Sequence, residues 1–124
     1  MKRVLVDTSV WSLAFRRKKD SEVARQLGNL ILEHAVAIIG PIRQELLSGL
    51  SDDNIFNKLV DRLSVYNDFV IDADDYVTAA KFHNICRKNG IQGSHTDFLI
   101  CAVAHNSDLQ IYTTDKDFKN YARF

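Results

Sequence analysis

Only two cysteines, Cys86 and Cys101, occur in a chain of 124 residues, and no CxxC spacing joins them. That excludes a disulfide-dense secreted scaffold; the pair reads as reduced, buried or half-buried thiols in a reducing compartment. Proline occurs once and glycine five times, which excludes a fibrous chain, and with 46% apolar and 26% charged residues the composition is that of a domain able to bury its own core. No long hydrophobic run is present. Val4-Leu5-Val6 stops at Asp7, too short for a signal peptide or a membrane span. The expectation is a single cytoplasmic domain over 1–124, outside any membrane. Net charge is lacking as well: 16 basic residues balance 16 acidic ones, which excludes holding nucleic acid by bulk electrostatics alone. A local site where acids hold a cation and the cation holds a phosphate is still open to such a chain. The one basic run, Arg16-Arg17-Lys18-Lys19, is a candidate nucleic-acid-guiding edge or else a solvated turn after a helix.

What is present is an alternation of strand and helix patterns with no repeat and no linker. The run at 2–6 predicts a strand ending at Asp7, and Thr8-Ser9 open a helix through Trp11 and Phe15. Val23, Leu27, Leu30 and Ile31 recur at helical spacing, and Ala35-Val36-Ala37-Ile38-Ile39 predicts a buried strand stopped by Gly40-Pro41. Pro41 suits the first turn of a helix that carries Ile42, Glu45 and Leu46 to about Gly49. Ser51-Asp52-Asp53 cap a helix to Leu63, Phe69-Val70-Ile71 is a third strand candidate, and Asp72 to Asp75 open a helix that stops at Lys88-Asn89-Gly90. A helix from Ser94 to His105, a strand at 109–112, a turn through Thr113-Thr114-Asp115-Lys116-Asp117 and a short strand at 121–124 complete the pattern. Near-continuously apolar strands alternating with helices predict an α/β fold, a parallel sheet with helices on both faces. Ligands of such sheets bind outside the carboxyl ends of the strands.

Asp7 closes the first strand, Asp115 follows the fourth, and Glu45 lies one turn into the helix after the second, so all three point to one end of the sheet. Asp97, in Ser94-His95-Thr96-Asp97, is a fourth candidate. Taken singly, each has an ordinary structural role: Asp7 a helix cap, Glu45 an exposed helix position, Asp97 the acid of a Ser94-x-x-Asp97 capping box, Asp115 a turn residue. Together they weigh more, because acids gathered at one end raise each other's pKa unless a cation or buried basic partners compensate them. Oxygen donors with no nearby His/Cys set select Mg²⁺ or Mn²⁺ over zinc, and such ions keep waters and engage phosphates. The chemistry implied is phosphodiester hydrolysis, with a carboxylate accepting the proton of an activated water.

Val4-Leu5-Val6-Asp7-Thr8-Ser9, Arg43-Gln44-Glu45-Leu46-Leu47-Ser48-Gly49, Thr96-Asp97-Phe98-Leu99-Ile100-Cys101-Ala102 and Thr113-Thr114-Asp115-Lys116-Asp117-Phe118 resemble the successive motifs of PIN domains, in order and over nearly the whole chain. Among PIN proteins, the length and the absence of a further domain resemble the VapC-type toxins of bacterial and archaeal toxin–antitoxin pairs, ribonucleases inhibited by a cognate antitoxin. The resemblance implies strand order 3-2-1-4-5, an RNA substrate, a cognate antitoxin as partner, and Asp7, Glu45, Asp97 and Asp115 as the acidic centre. Within it, Asp7 and Asp97 are assigned as direct metal ligands, Asp115 as a ligand of the same or a second ion, and Glu45 as water orienter or base. Asp117 is an accessory, and Thr8, Ser9 and Thr114 are candidates to orient the acids by hydrogen bonds, with helix capping the other explanation of the first two.

His83-x-x-Cys86 lacks the second pair a zinc site needs, and His95 has no nucleophile at recognisable spacing. Trp11, Phe15, Phe98 and Phe118 read as core. Trp11 and Phe15 are also candidates to line a groove for the antitoxin or for a second copy of the chain, as a homodimer. Two other classes compete. A receiver-like phosphoacceptor domain wants paired acids after its first strand, where Asp7 stands alone. A non-catalytic RNA- or protein-binding module of the same fold is disfavoured by the presence of all four acids.

Overall fold

The computed structural model describes residues 3–16 and 21–123. Three strands, β1 (Val4–Val6), β2 (Val36–Ala37) and β3 (Gln110–Tyr112), form a parallel sheet in the order β2-β1-β3. Leu5 of the central strand lies opposite Ala37 on one side and Ile111 on the other. All three residues of β1 are buried, and since successive side chains point to opposite faces, both faces of the sheet are covered. The helices are α1 (Thr8–Arg16), α2 (Glu22–Leu32), α3 (Gly40–Leu47), α4 (Asp53–Leu63), α5 (Ala73–Lys88), α6 (His95–Ser107) and α7 (Asp117–Tyr121). α1 packs on α2 and α3, and α3 on α4, while α5 packs on α6 and α6 on β3.

The helix starts are local chemistry. Ser21 accepts the N–H of Ala24, Asp52 accepts those of Asn54 and Ile55, and Asp72 with Asp75 forms a complete capping box. Asp75 is nevertheless buried, and its other carboxylate oxygen accepts from Asn106 at 2.9 Å, which ties α5 to α6. Gly90, at φ 74°, ends the run after α5 in the left-handed region that glycine adopts without strain. The core gathers Leu5, Val6, Ile38, Ile39, Ile42 and Ile100 with Trp11 and Phe98, all at most 2% exposed.

The fold class is the α/β class expected, and three expectations are corrected in detail. Phe69-Val70-Ile71 is not a strand: only Asp68 bridges, in parallel, to Ile38, with the N–H of Phe69 donating to the carbonyl of Ile38 at 2.7 Å. Val70, 80% exposed, has no apolar surface to pair against. The segment 121–123 is not strand either: Tyr121 is the last residue of α7, in which Phe118 and Tyr121, about one helical turn apart, are both buried. The described residues therefore give β2-β1-β3 with one bridge beyond β2, and no fifth strand, where 3-2-1-4-5 was implied. Arg17, Lys18 and Lys19 of the basic run lie outside the described residues, as does the side chain of Arg16.

Arg43 on α3 replaces that missing third strand as the anchor of the 63–68 segment. Its guanidinium donates to the carbonyl oxygens of Leu63 at 2.8 Å and Tyr66 at 2.6 Å and to Asp68 Oδ1 at 2.9 Å. Arg43→Ala is expected to lower stability by about 2–3 kcal/mol, because it leaves part-buried carbonyls without their donor. Arg43→Lys recovers only part of this in urea unfolding, since a point ammonium does not span three acceptors.

Candidate active site

Asp7 stands where β1 passes into α1. Its N–H donates to the carbonyl of Tyr112 on β3 at 2.9 Å, and its own carbonyl accepts from Val10 at 3.0 Å, so the backbone is held by the sheet and by the helix at once. The side chain is 5% exposed, and Oδ2 accepts two hydroxyls, Ser9 Oγ and Thr113 Oγ1, each at 2.8 Å. Those hydroxyls are themselves tethered from the third-strand side: Ser9 Oγ accepts the N–H of Thr114 at 3.1 Å, and Thr113 Oγ1 accepts the N–H of Asp115 at 3.0 Å. Parallel pairing of β1 with β3 thus joins the Asp7 and Asp115 segments through two side-chain hydroxyls. The hydroxyl that reaches the acid is that of Thr113; Thr114, the candidate from sequence, contributes its backbone.

Asp97 sits in the first turn of α6. Its N–H donates to Ser94 Oγ at 3.0 Å, the serine half of the expected capping box, but the carboxylate is engaged elsewhere: Asp97 Oδ2 accepts from the Tyr121 hydroxyl at 2.9 Å. Burial lifts the Asp97 carboxyl above its ordinary value, and the negative charge of Asp7 adds to the lift, against the hydrogen bonds from Tyr121 and the Ser94 side. One turn further on, the Cys101 thiol is pushed up to about 12 by burial, with Asp97, Cys86 and Asp7 contributing, so it stays neutral beside the acids. The Tyr121 phenol is raised as well, by burial, by its bond to Asp97 and by the charges of Asp97, Asp117 and Asp115. Tyr121 therefore links two neighbourhoods: it donates to Asp97, which feels the charge of Asp7, and it stands within the field of Asp115 and Asp117.

Asp115 Oδ1 accepts the N–H of Asp117 at 2.9 Å, which starts α7, and Asp117 is exposed. Glu45 is set apart. It is exposed on α3, Thr8 Oγ1 donates to its Oε1 at 2.8 Å, and it borders a groove of about 830 Å³ with Phe15, Lys58 and Arg62. Thr113, Thr114, Asp115 and Lys116 line a different groove, of about 940 Å³, that continues over Phe82 and Phe118. Trp11 is 2% exposed and belongs to the core, whereas Phe15 is 40% exposed. Among the described residues no three His, Cys, Asp or Glu side chains form a ready-made metal site. What the structure does hold is a pair of carboxylates from distant parts of the chain, each fixed by hydroxyl donors, with the charge of Asp7 adding to the lift of Asp97. An all-oxygen pair of that kind suits a hard divalent cation that keeps several of its waters. Thr113 and Tyr121 are the site residues that sequence reasoning missed. A threonine directly after a strand end and the Phe118–Tyr121 spacing were the available signals.

Residues 4–124 match the family model for the PIN domain. Among curated proteins, the chain is 36% identical over 126 residues to VapC ribonuclease Mb1587 of Mycobacterium bovis, an alignment covering 97% of this chain and 92% of that one. The same figures hold for ribonuclease VapC11 of Mycobacterium tuberculosis. Among solved structures, FitAcB from Neisseria gonorrhoeae superimposes with TM-score 0.79 at 24% identity, covering 97% of this chain and 93% of that one. VapBC2 from Rickettsia felis, bound to a DNA fragment from its promoter, gives 0.77 at 18%, covering 94% and 91%. At these identities the solved structures speak for the fold.

Proposed function

The chain belongs to the PIN-domain family, and on that footing we propose that it is a VapC-type endoribonuclease, the toxin of a toxin–antitoxin pair, which hydrolyses RNA phosphodiester bonds. The observation that carries this is a pair of carboxylates set by hydroxyl donors, Asp7 buried at the carboxyl end of β1 under Ser9 and Thr113, and Asp97 in the first turn of α6 under Tyr121; the charge of Asp7 also adds to the lift of the Asp97 carboxyl. The names and the near-complete coverage of the ribonuclease relatives support the substrate. The partner is a cognate antitoxin protein and the compartment the cytoplasm. No helix among the described residues is long and apolar enough to cross a membrane.

Asp7 and Asp97 hold the cation, Mg²⁺ or Mn²⁺, with Asp115 as a further oxygen donor to the same or a second ion. When bound, the ion lowers the pKa of water, polarises the phosphoryl oxygen and steadies the leaving oxygen. Ser9 and Thr113 fix the Asp7 carboxylate by converging on Oδ2. Tyr121 does the same at Asp97 Oδ2. Thr8 holds the Glu45 carboxylate beside the Asp7 segment, where Glu45 orients a water or takes its proton. Asp117 helps set the Asp115 turn through its backbone N–H. A water nucleophile needs no ribose 2′-hydroxyl, so the products carry 5′-phosphate and 3′-hydroxyl ends.

Purified protein incubated with cellular RNA is expected to cut in Mg²⁺ or Mn²⁺ and to stop in EDTA, with resumption when metal is restored. End-labelling of the products reads their chemistry, and a 2′,3′-cyclic phosphate would contradict the mechanism. A second reading, a PIN module that binds RNA or protein without cutting, draws on the absence of three assembled ligands among the described residues. Metal binding with no cleavage selects it.

A further inference from the structure

Tyr121 ends α7 as a buried side chain, 8% exposed, with its ring 5.1 Å from that of Phe98 and 5.2 Å from that of Phe118. Packing alone explains an aromatic ring there and is satisfied by phenylalanine. It does not explain the hydroxyl, which a buried site tolerates only with a partner. That partner is Asp97 Oδ2, at 2.9 Å. A second feature of the chain makes room for the contact. A Cβ built on Gly93 would stand 2.6 Å from the Tyr121 hydroxyl oxygen, 2.9 Å from its Cζ and 2.9 Å from Phe98 Cζ. Gly93 has no positive φ, so close approach and not backbone freedom demands glycine there. It directly precedes Ser94, the cap of α6, so the backbone that presents Asp97 is pressed against the phenol that holds it.

We propose that Tyr121, seated against Gly93, is a positioning residue that fixes the Asp97 carboxylate for cation binding; the proposal rests on the reading of Asp97 as a metal ligand. The terminal torsion of an aspartate is broad, so an unheld carboxylate samples orientations that a ligand must then select. An O–H donor on Oδ2 restricts that freedom and holds the carboxylate in one orientation. The bond, at 2.9 Å, is directional and becomes charge-assisted when Asp97 is ionised. Asp7 receives the equivalent restraint from Ser9 and Thr113, but those hydroxyls lie on α1 and just past β3. Tyr121 brings the end of α7 into the same task, so both ligands are set before the ion arrives. Outer partners of this kind typically change metal affinity by about 10- to 100-fold.

The test is Mn²⁺ affinity of the whole, metal-free protein, read by the EPR signal of free ion without RNA, alongside thermal melting. Tyr121→Phe keeps the ring and its packing; it is expected to melt only modestly below the native chain, by the loss of one hydrogen bond, with Mn²⁺ affinity weaker by about tenfold or more. Tyr121→Leu loses the ring too, and is expected to melt lower while binding Mn²⁺ no more weakly than the phenylalanine variant. Gly93→Ala displaces the phenol and is expected to weaken Mn²⁺ more in the native background than in Tyr121→Phe, where the ring contacts at Phe98 and Tyr121 Cζ remain but the hydroxyl is already gone. Equal Mn²⁺ affinity in the native chain and Tyr121→Phe overturns the positioning role and leaves the ribonuclease reading intact. No Mn²⁺ binding by the native chain overturns both.

Discussion

Asp7→Asn and Asp97→Asn are each expected to slow RNA cleavage on the order of 10³-fold, the loss typical when a group that stabilises transition-state charge is removed. The substitution conserves shape and an acceptor oxygen. At Asp7, an asparagine that keeps its oxygen toward Ser9 and Thr113 presents an NH₂ in place of the second carboxylate oxygen, so a negative charge and an oxygen donor are lost together. At Asp97 the Tyr121 hydroxyl selects the same orientation with the same result. Glu45→Gln is expected to have the smaller effect, because Glu45 is exposed and reaches the Asp7 segment through Thr8. Single-turnover cleavage of labelled RNA checks the order, and Asn variants as fast as the native chain would remove the acids from the mechanism.

The same Asp97 variant separates loss of chemistry from loss of fold. Burial, aided by Asp7, holds the Asp97 carboxyl above its ordinary value, so in metal-free protein its charged form works against folding at neutral pH. A raised folded pKa contributes stability below the unfolded carboxylate value and loses it as pH climbs through the folded one. Asp97→Asn, which never ionises, is therefore expected to melt above the native chain at neutral pH in EDTA. The gap closes as pH falls below the carboxylate range, where both forms are uncharged. An inactive variant that is also more stable cannot have lost activity by unfolding.

Trp11→Ala is expected to have the largest effect on stability, about 3–5 kcal/mol, as for other large-to-small changes at buried aromatic sites. Trp11 is 2% exposed, its ring lies 5.6 Å from that of Tyr66 and 5.9 Å from that of Phe15, and its indole N–H donates to the carbonyl of Val6 at 3.2 Å. Truncation opens a cavity under the first turn of α1 and strips a donor from the strand residue next to Asp7. A domain of this size has roughly 5–15 kcal/mol in total, so the variant sits near its threshold. Trp11→Phe refills most of the volume and is expected to lose about 1–3 kcal/mol, chiefly for the unpartnered Val6 carbonyl. Urea unfolding monitored by circular dichroism reads both; an alanine variant within about 1 kcal/mol of the native chain would place Trp11 outside the core.

Helices were the most legible elements because their signals are local. Ser21, Asp52, Asp72 and Ser94 each cap within three residues of their own position. A strand has no such independence, since it exists only with a partner. Phe69-Val70-Ile71 has strand-forming side chains, yet the chain is captured at Asp68 by one bridge and by Arg43, and Val70 faces solvent. α7 was missed for the opposite reason. Five residues are too few to display a helical period, and the apolar Phe118 and Tyr121 suit a strand's alternation poorly but a single helical turn well.

The amino-acid sequence by itself determined the α/β alternation, the family, and which acids stand at strand ends and helix starts, because each of these is written in residue type, order and short-range spacing. The tertiary structure alone decided which oxygens meet. Thr113 reaches Asp7 across 106 positions of chain and Tyr121 reaches Asp97 across 24, while Glu45 is drawn to Thr8 and into another groove. No local pattern encodes those pairings. They follow from parallel pairing of β1 with β3 and from the seating of α7 on the start of α6, where a hydroxyl and a missing Cβ at Gly93 fit together only after the chain has folded.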